Sequence, residues 1–595
     1  MKKSRFFLSS LICLASVVSA AESKHIVILG TNDFHGALFP AEGKTKDKEP
    51  VKYTQGGAAV LGAYVNAYRN RYKDRFLFLD AGDQWQGSLE SNHFEGLTVV
   101  EVFNLMKLDA ATIGNHEFDF GPVGSKGPDR QGALKKGIRK ANFPYLSANL
   151  TVQTVWNEES HRLPGQKPFK LFTVDGVRIA VLGLTTEETP VTTRPKYVKN
   201  AKFSPLATST EYYSHLLRTK YGANLVILLA HAGTRCKKDE NLMENKIREK
   251  SSIGDDVCSK DEELTKLLKQ LKPGTVDAVI GGHAHEIVHH WINDIPVIQS
   301  GKFGQYVHLL HIHYAGEKDR TKVSIEGPVP VCEKIFANQG NCDGRAKLAD
   351  GAVRGELVQN TLFNAPVVPE ASIAAYLARV SKALEPIKKR PVGKMIVGTD
   401  IMHEKFIEAP MGNLVADAVK QTAKTDFSLV NRGGIRDSWN DLNVITFGDV
   451  YRVLPYDNFI KTVSVTGLQL KAIIQQAYNS PDEDVWPVSG LQVQVNKTVK
   501  PFKTTIQQIQ VVNSDTTPSY RLIDIVDTQV YTLAVPDFLA EGGDGMGKVF
   551  QGLVAPIHDS GFLREVLTDY LKPSFDEPID PDSLVNSNLR RIIIK

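Results

Sequence analysis

This sequence predicts an α/β protein of two units joined by a long helix, and three observations carry that prediction. Between residues 24 and 310, short apolar runs recur, each ending in small and polar residues. Stretches with helical spacing, such as "AAVLGAYVNAYRNRY", lie between some of them. Beyond residue 368 the texture breaks, and a second set of helix-like and strand-like segments follows.

With 595 residues the chain exceeds what one hydrophobic core serves, so more than one domain is expected. Apolar residues at 42% and charged residues at 23% are ordinary globular values and exclude a disordered or fibrous chain. The first twenty residues, "MKKSRFFLSSLICLASVVSA", place Lys2, Lys3 and Arg5 before an apolar run that closes on small residues. They read as a secretory signal peptide over residues 1–20, too short for a membrane span. Its removal takes three positive charges and no negative one, so the formal +4 falls to about +1. That balance gives no electrostatic case for binding a nucleic acid polymer or an acidic membrane surface. No hydrophobic tail of the lipid-anchor kind follows "VNSNLRRIIIK", so an exported protein without a membrane anchor, periplasmic or secreted, is expected.

The elements can be justified in order. "HIVILG" leads into "TNDFHG", "RFLFLD" into "AGDQWQG" and "DAATIG" into "NHEFDFG"; then "ANLVILLA" leads into "HAG" and "VDAVIGG" into "HAHE". Apolar runs of this length bounded by glycine read as strands buried on both faces, with polar chemistry delivered at their carboxyl ends. Four cysteines follow the signal segment: Cys236, Cys258, Cys332 and Cys342. An even number in an exported chain favours disulfides, and local pairing (236 with 258, 332 with 342) is expected among the three alternatives. Closing a loop the size of 236–258 contributes on the order of 3 kcal/mol. Without CxxC spacing, a cysteine metal site is not expected.

The segment "VPEASIAAYLARVSKALEP" has a Pro start and helical spacing, and "IKKRPVG" then breaks the pattern. The expected division is a first domain over 21–362, a linking helix and hinge over 363–390, and a second domain over 391–595. "MGNLVADAVKQTA" reads as a helix of that second unit and "VYTLAV" as a strand.

The strand ends of the first unit carry Asp33 and His35, Asp83, Asn115 and His116, His231, and His283 with His285. Each motif alone is modest, since a buried histidine is commonly a packing residue; the whole set, in one order within one domain, points to a metal centre. The order D-x-H, G-D, G-N-H-E, H, G-H-x-H resembles the calcineurin-like metallophosphoesterases. More narrowly, "TNDFHG", "AGDQWQG" and "GNHEFDFG" resemble the 5′-nucleotidase family, over nearly the whole mature chain.

The resemblance implies a four-layered α/β/β/α metallophosphoesterase domain and a separate substrate-binding domain. It puts Asp33, His35, Asp83 and His285 on one divalent ion, and Asp83, Asn115, His231 and His283 on a second, with Asp83 bridging. Such a pair clamps a phosphate and lowers the pKa of a bound water. Imidazole donors favour zinc, with manganese or cobalt as alternatives, over magnesium. His116 is implied as the catalytic histidine, and Asp119, three residues on, as its orienting partner. Glu117 is read as local structural support, and His93, His289, His290 and His308 as surface or packing residues.

"NRGGIR" resembles the family's N-x-G-G-I-R, which implies Asn431 against the base and Arg436 on phosphate or carboxylate groups. "VLPYDN" supplies Tyr456, and "VPDFLAEGGDG" supplies Phe538 and Asp544. The resemblance implies that the two aromatics sandwich the base while Asp544 holds the ribose. One departure is Lys405, which stands before Phe406 where the family usually has Arg; the charge is kept and the planar fork is lost. Arg432, in place of a small residue, is expected to supply compensating charge.

The implied function is hydrolysis of nucleoside 5′-monophosphates to nucleoside and orthophosphate, with a small nucleotide as partner. The alternatives are nucleotide-sugar or dinucleotide cleavage or 2′,3′-cyclic phosphodiesterase action on the same scaffold, and a silent nucleotide-binding or host-interaction protein. No motif specifies the preferred base or an oligomeric state.

Overall fold

The computed structural model of the protein describes residues 23–45, 51–125, 127–154, 157–237, 245–250, 257–316, 321–344, 355–403, 407–479, 485–499, 502–513, 521–553, 561–585 and 590–594. The expected signal peptide and Lys405 lie outside the described residues.

Alternation of apolar residues along buried strands sets the layers of the first domain. In Lys24–Thr31, Ile26 and Ile28 face one way while Val27 and Leu29 face the other, and all four are fully buried. A strand with two apolar faces needs a layer on each side. This strand is central in a seven-stranded sheet, parallel to Phe76–Asp80 and antiparallel to Tyr306–Tyr314. A six-stranded sheet places Val177–Thr185, Leu225–His231 and Ala278–Gly281 side by side, all parallel. The two sheets meet through Ile26, Ile28, Leu79, Ile179, Leu229 and Ile280, so the inner core is a sheet-on-sheet interface.

The outer face of the first sheet is covered by helices Ala58–Tyr72 and Leu97–Leu105, that of the second by Leu206–Thr219 and Glu263–Gln270. Four layers, α/β/β/α, result. Bonds join Cys236 to Cys258 and Cys332 to Cys342, the local pairing expected from the sequence.

The linking helix spans Ala371–Lys388 and runs two residues past Pro386, where the sequence pattern had suggested a stop. Pro386 sits in the last turn, so the helix loses one backbone hydrogen bond near an end that frays anyway. Its buried stripe is shared: Ile373 and Leu377 pack into the first domain's core, Val380 and Leu384 into the second's.

In the second domain, Phe427–Leu429 pairs in parallel with Val530–Pro536, which pairs antiparallel with Ile460–Thr466. Helix Pro410–Ala423 starts on its proline, and Gly467–Tyr478 starts with a reciprocal Thr466–Gln469 capping box. Ile28, Leu229 and Ile280 show no exposure, so the inter-sheet layer has no slack to absorb a cavity. Leu229→Ala should therefore cost about 2–5 kcal/mol of stability, measured as a lower denaturant midpoint.

Candidate active site

Strand register brings the polar loops together. In the first sheet Thr31 stands beside Asp80, and Asp80 beside Ala111; in the second, Thr185 stands beside His231, and Ala230 beside Gly281. The chain leaves all these strands at one end, so Asp33, His35, Asp83, Asn115, His116, His231, His283 and His285 emerge into one space. The loops after the first two strands are stitched to each other: Asp33 N–H donates to the Gly82 carbonyl (2.9 Å) and His35 N–H to that of Asp83 (3.0 Å).

Five of these residues have left-handed backbone: Asp33, His35, Asp83, His283 and His285, with φ between 49° and 72°. Non-glycine residues rarely adopt it, and each such residue costs of order 1–3 kcal/mol. The strain turns each side chain back toward the centre. Gly82 and Gly114 allow the close approach: a Cβ on Gly82 would lie 3.0 Å from His231 Nδ1, and one on Gly114 would run into the Asp83 carboxylate.

Two sets of donor atoms gather: Asp33, His35 and His285, and Asp83, His231 and His283. His35 Nδ1 donates to the Gln86 carbonyl (2.9 Å) and His231 Nδ1 to that of Ala81 (2.8 Å). A carbonyl can only accept, so the Nε2 lone pair of each ring faces inward. His35 Nε2 then lies 2.9 Å from His285 Nε2, and His231 Nε2 lies 2.9 Å from Asn115 Oδ1 and 3.1 Å from Asp83 Oδ2. Lone pairs aimed at acceptors at such distances repel unless a proton or a cation lies between them. The donor set, four imidazoles, two carboxylates and one amide oxygen, suits a pair of divalent cations of the zinc or manganese kind.

Electrostatics agree with the geometry. Burial alone would push the Asp83 carboxyl up, but His231, His116 and His35 outweigh it and hold it well below the usual carboxylate range. Burial lowers His231, but Asp83 prevails and raises it to about 9. Asp83 and His231 therefore hold a shared positive charge strongly, a proton in the absence of a metal ion.

His116 sits at its edge, on a 3₁₀ turn over His116–Phe118. Its backbone N–H donates to Asp83 Oδ1 (2.9 Å), and its Nδ1 meets Asp119 Oδ2 at 2.6 Å. The Nε2 is 4.0 Å from Asp83 Oδ2. Burial lowers this imidazole, but Asp119, Tyr456 and Asp83 outweigh it and raise it well above its ordinary value. Asp119 is fixed in turn by Thr193, whose hydroxyl donates to Oδ1 (2.6 Å). Glu117 points away from the centre and accepts from the backbone N–H groups of Asp83, Gln84 and Gly114 at 2.7–3.0 Å. His289, His290 and His308 are buried in the sheets, away from the donor sets.

The second domain closes over the same space. One cavity is lined by Asp83, His116, His283 and His285 of the first domain and by Asn431, Arg436, Tyr456, Phe538 and Asp544 of the second. Tyr456 approaches His116 with ring centroids 5.7 Å apart, and the Arg436 guanidinium lies 5.9 Å over the Tyr456 ring. Asn431 Nδ2 donates to Asp544 Oδ2 (2.8 Å), and Phe538 packs against Gly543. Thr193, Arg194 and Asn458, which the sequence did not single out, line the cavity too. They stand on loops with no periodic pattern, so no local signal marks them.

Comparison with known proteins follows the same division. The calcineurin-like phosphoesterase family model matches residues 26–287, and the model for the C-terminal domain of 5′-nucleotidases matches residues 391–552. The snake venom 5′-nucleotidase of Crotalus adamanteus is 26% identical over 94% of this chain and 88% of its own. The human 5′-nucleotidase is 26% identical over 93% and 89%. The crystal structure of a 5′-nucleotidase precursor from Thermus thermophilus superposes with a TM-score of 0.71, at 22% identity, over 96% of this chain and 99% of that one, a likeness of fold. A phosphoesterase domain followed by that C-terminal domain, in relatives that span nearly the whole chain, makes this protein a metal-dependent phosphoesterase of the 5′-nucleotidase family.

Proposed function

We propose that the protein is an exported, binuclear-metal 5′-nucleotidase that releases nucleoside and orthophosphate from nucleoside 5′-monophosphates. The observation that carries this reading is the shared cavity, lined by residues of the metal-donor cluster of one domain and by two aromatic rings of the other. A nucleotide requires both kinds of surface in one cavity: donors for its phosphate and aromatic faces for its base. Export is supported by two disulfides, which persist in oxidising compartments. No helix among the described residues is long and apolar enough to cross a membrane.

In this reading Asp33, His35, Asp83 and His285 hold one ion, and Asp83, Asn115, His231 and His283 the other. Bound there, the two ions would neutralise the phosphate and supply a water of lowered pKa. The remaining chemistry belongs to this chain. Asn115 adds a neutral oxygen beside an incoming dianion, where a carboxylate would repel it. His116, kept protonated by Asp119, holds its Nε2–H toward the reacting phosphoryl group and can protonate the departing ribose 5′-oxygen. Thr193 fixes Asp119, so the proton stays on the correct edge of the ring. Tyr456 and Phe538 take the base between them, Asp544 and Asn431 face the ribose and base, and Arg436 with Lys405 meets the phosphate.

The domain division at 362 and 390 is part of the proposal, with a hinge near residues 386–393. Interdomain contacts such as Asn92 Nδ2 to the Pro455 carbonyl (3.0 Å) border the cavity, and in this reading the domains part for entry and release.

Chelation should abolish phosphate release and added zinc, manganese or cobalt should restore it; Asp83→Ala, which removes the proposed bridge, should be the most damaging ligand change. Two metals per chain and full rate in that variant would refute the binuclear assignment. His116→Ala should lower kcat by about two to four orders of magnitude at unchanged metal content, and Thr193→Val by about tenfold. Loss of metal from the His116 variant would show that it is a ligand instead. An engineered disulfide across the Asn92–Pro455 contact should suppress multiple turnover when oxidised and release it on mild reduction, against single-cysteine controls. Unchanged kinetics in the cross-linked enzyme would remove the need for domain motion.

A further inference from the structure

Arg194 is a cationic side chain in the cavity that the proposed chemistry leaves unused. It is contributed by the first domain, is only 8% exposed, and lines the cavity beside residues of the second. Its position is set by Thr193, which is held by Asp119, and by the turn that carries its carbonyl to Tyr197 N–H. Across the cleft it faces two segments at once. Asn458 stands two residues beyond Tyr456, and Asp537 directly precedes Phe538. Arg194 therefore lies beside the backbone of both proposed stacking rings.

Its own hydrogen bonding is sparse, although the guanidinium also lies over the Tyr197 ring, 5.9 Å from the centroid. Among the described residues it makes one side-chain hydrogen bond, from Nη2 to Asn458 Oδ1, at 3.4 Å, longer than the usual N–H···O range. Among the described residues it makes no ion pair within 4 Å, but its charge acts on Asp537 more strongly than that of Lys196, which lies 3.8 Å from that carboxylate. Arg564, the other cation nearby, is taken up by Asp457. The remaining N–H groups are not buried orphans; Arg194 lines the cavity, where a ligand acceptor can meet them. Because Asn458 Oδ1 is turned to Arg194, its amide nitrogen is left as a further donor. What the pair shows to the cavity is a set of N–H groups only.

We infer that Arg194, supported by Asn458, reads the base edge and selects bases carrying a carbonyl over bases carrying an amino group. This rests on the 5′-nucleotidase reading and names its substrate class: 6-oxopurine and 4-oxopyrimidine nucleoside 5′-monophosphates. Purine C6 and pyrimidine C4 lie far from the glycosidic bond, so their substituents meet a residue flanking the stacking rings. Guanine presents O6 and N7, both acceptors that match an arginine fork, and uracil presents O4; adenine and cytosine present an amino donor there. Donor against donor leaves both unpaired in a buried place, which makes the discrimination sharp.

The test compares substrate pairs that differ at that position. For the wild-type metal-loaded enzyme, kcat/KM for IMP over AMP, and for UMP over CMP, should each be at least about tenfold. Arg194→Met should bring both ratios to within about threefold of one, and Arg194→Lys should leave intermediate ratios. A measurement independent of any variant is inhibition of bis(4-nitrophenyl) phosphate hydrolysis by nucleosides, where inosine should act at lower concentration than adenosine. Equal or inverted preference in the wild type, or ratios unchanged in Arg194→Met, would overturn the inference and leave the nucleotidase reading standing. Cleavage of bis(4-nitrophenyl) phosphate with no nucleoside monophosphate hydrolysed would overturn that reading, and this inference with it.

Discussion

The Asp83 carboxylate is the contact on which the site depends. Fully buried, it lies within 4 Å of His35, His116 and His231 and also caps the backbone N–H of His116. A charge so placed would be intolerable without partners, and so would the inward lone pairs of the imidazoles. Each group makes the others acceptable, through a shared proton or a shared cation. The surrounding structure exists to hold them at that spacing. Five residues accept left-handed backbone, Glu117 ties three loop N–H groups, and the two sheets behind supply rigid ends from which the strained loops start.

The same constraint explains why the protein has two domains. A metal centre of this type acts on phosphate esters in general, and nothing in the first domain's donor cluster distinguishes one leaving group from another. On the proposed reading discrimination comes from the second domain, whose Tyr456, Phe538, Asp544 and Asn431 line the same cavity. The linking helix gives half its buried stripe to each core and so ties the two sets of cavity-lining residues together. Thr192, Thr193 and Arg194 belong to the seam: one short segment accepts from Asn115, steadies Asp119 and reaches Asn458 across the cleft.

The Asp33, Asp83, Asn115, His231 and His283 loops were legible because each follows an apolar run bounded by glycine, and strand ends in parallel sheets deliver polar groups to one edge. His116 with Asp119 was legible for a local reason, since residues three apart at helical spacing can touch. The disulfides were legible as neighbours in sequence. Thr193, Arg194 and Asn458 were not, because their meaning lies in contacts with residues 74 and 264 positions away, which leave no local pattern. The end of the linking helix also escaped the pattern, since packing of Val380 and Leu384 carries it through Pro386.

By itself the sequence determined the element order, the apolar faces and the inventory of ligand-type side chains, because each is written in periodicity and in residue chemistry that needs no partner. Tertiary structure alone decided which strands pair, that two sheets stack with their open ends aligned, and that a loop of the first domain shares a cavity with the aromatics of the second. The reason is physical: periodicity is a property of one segment, whereas register, strain and burial of charge are properties of segments brought together by the core.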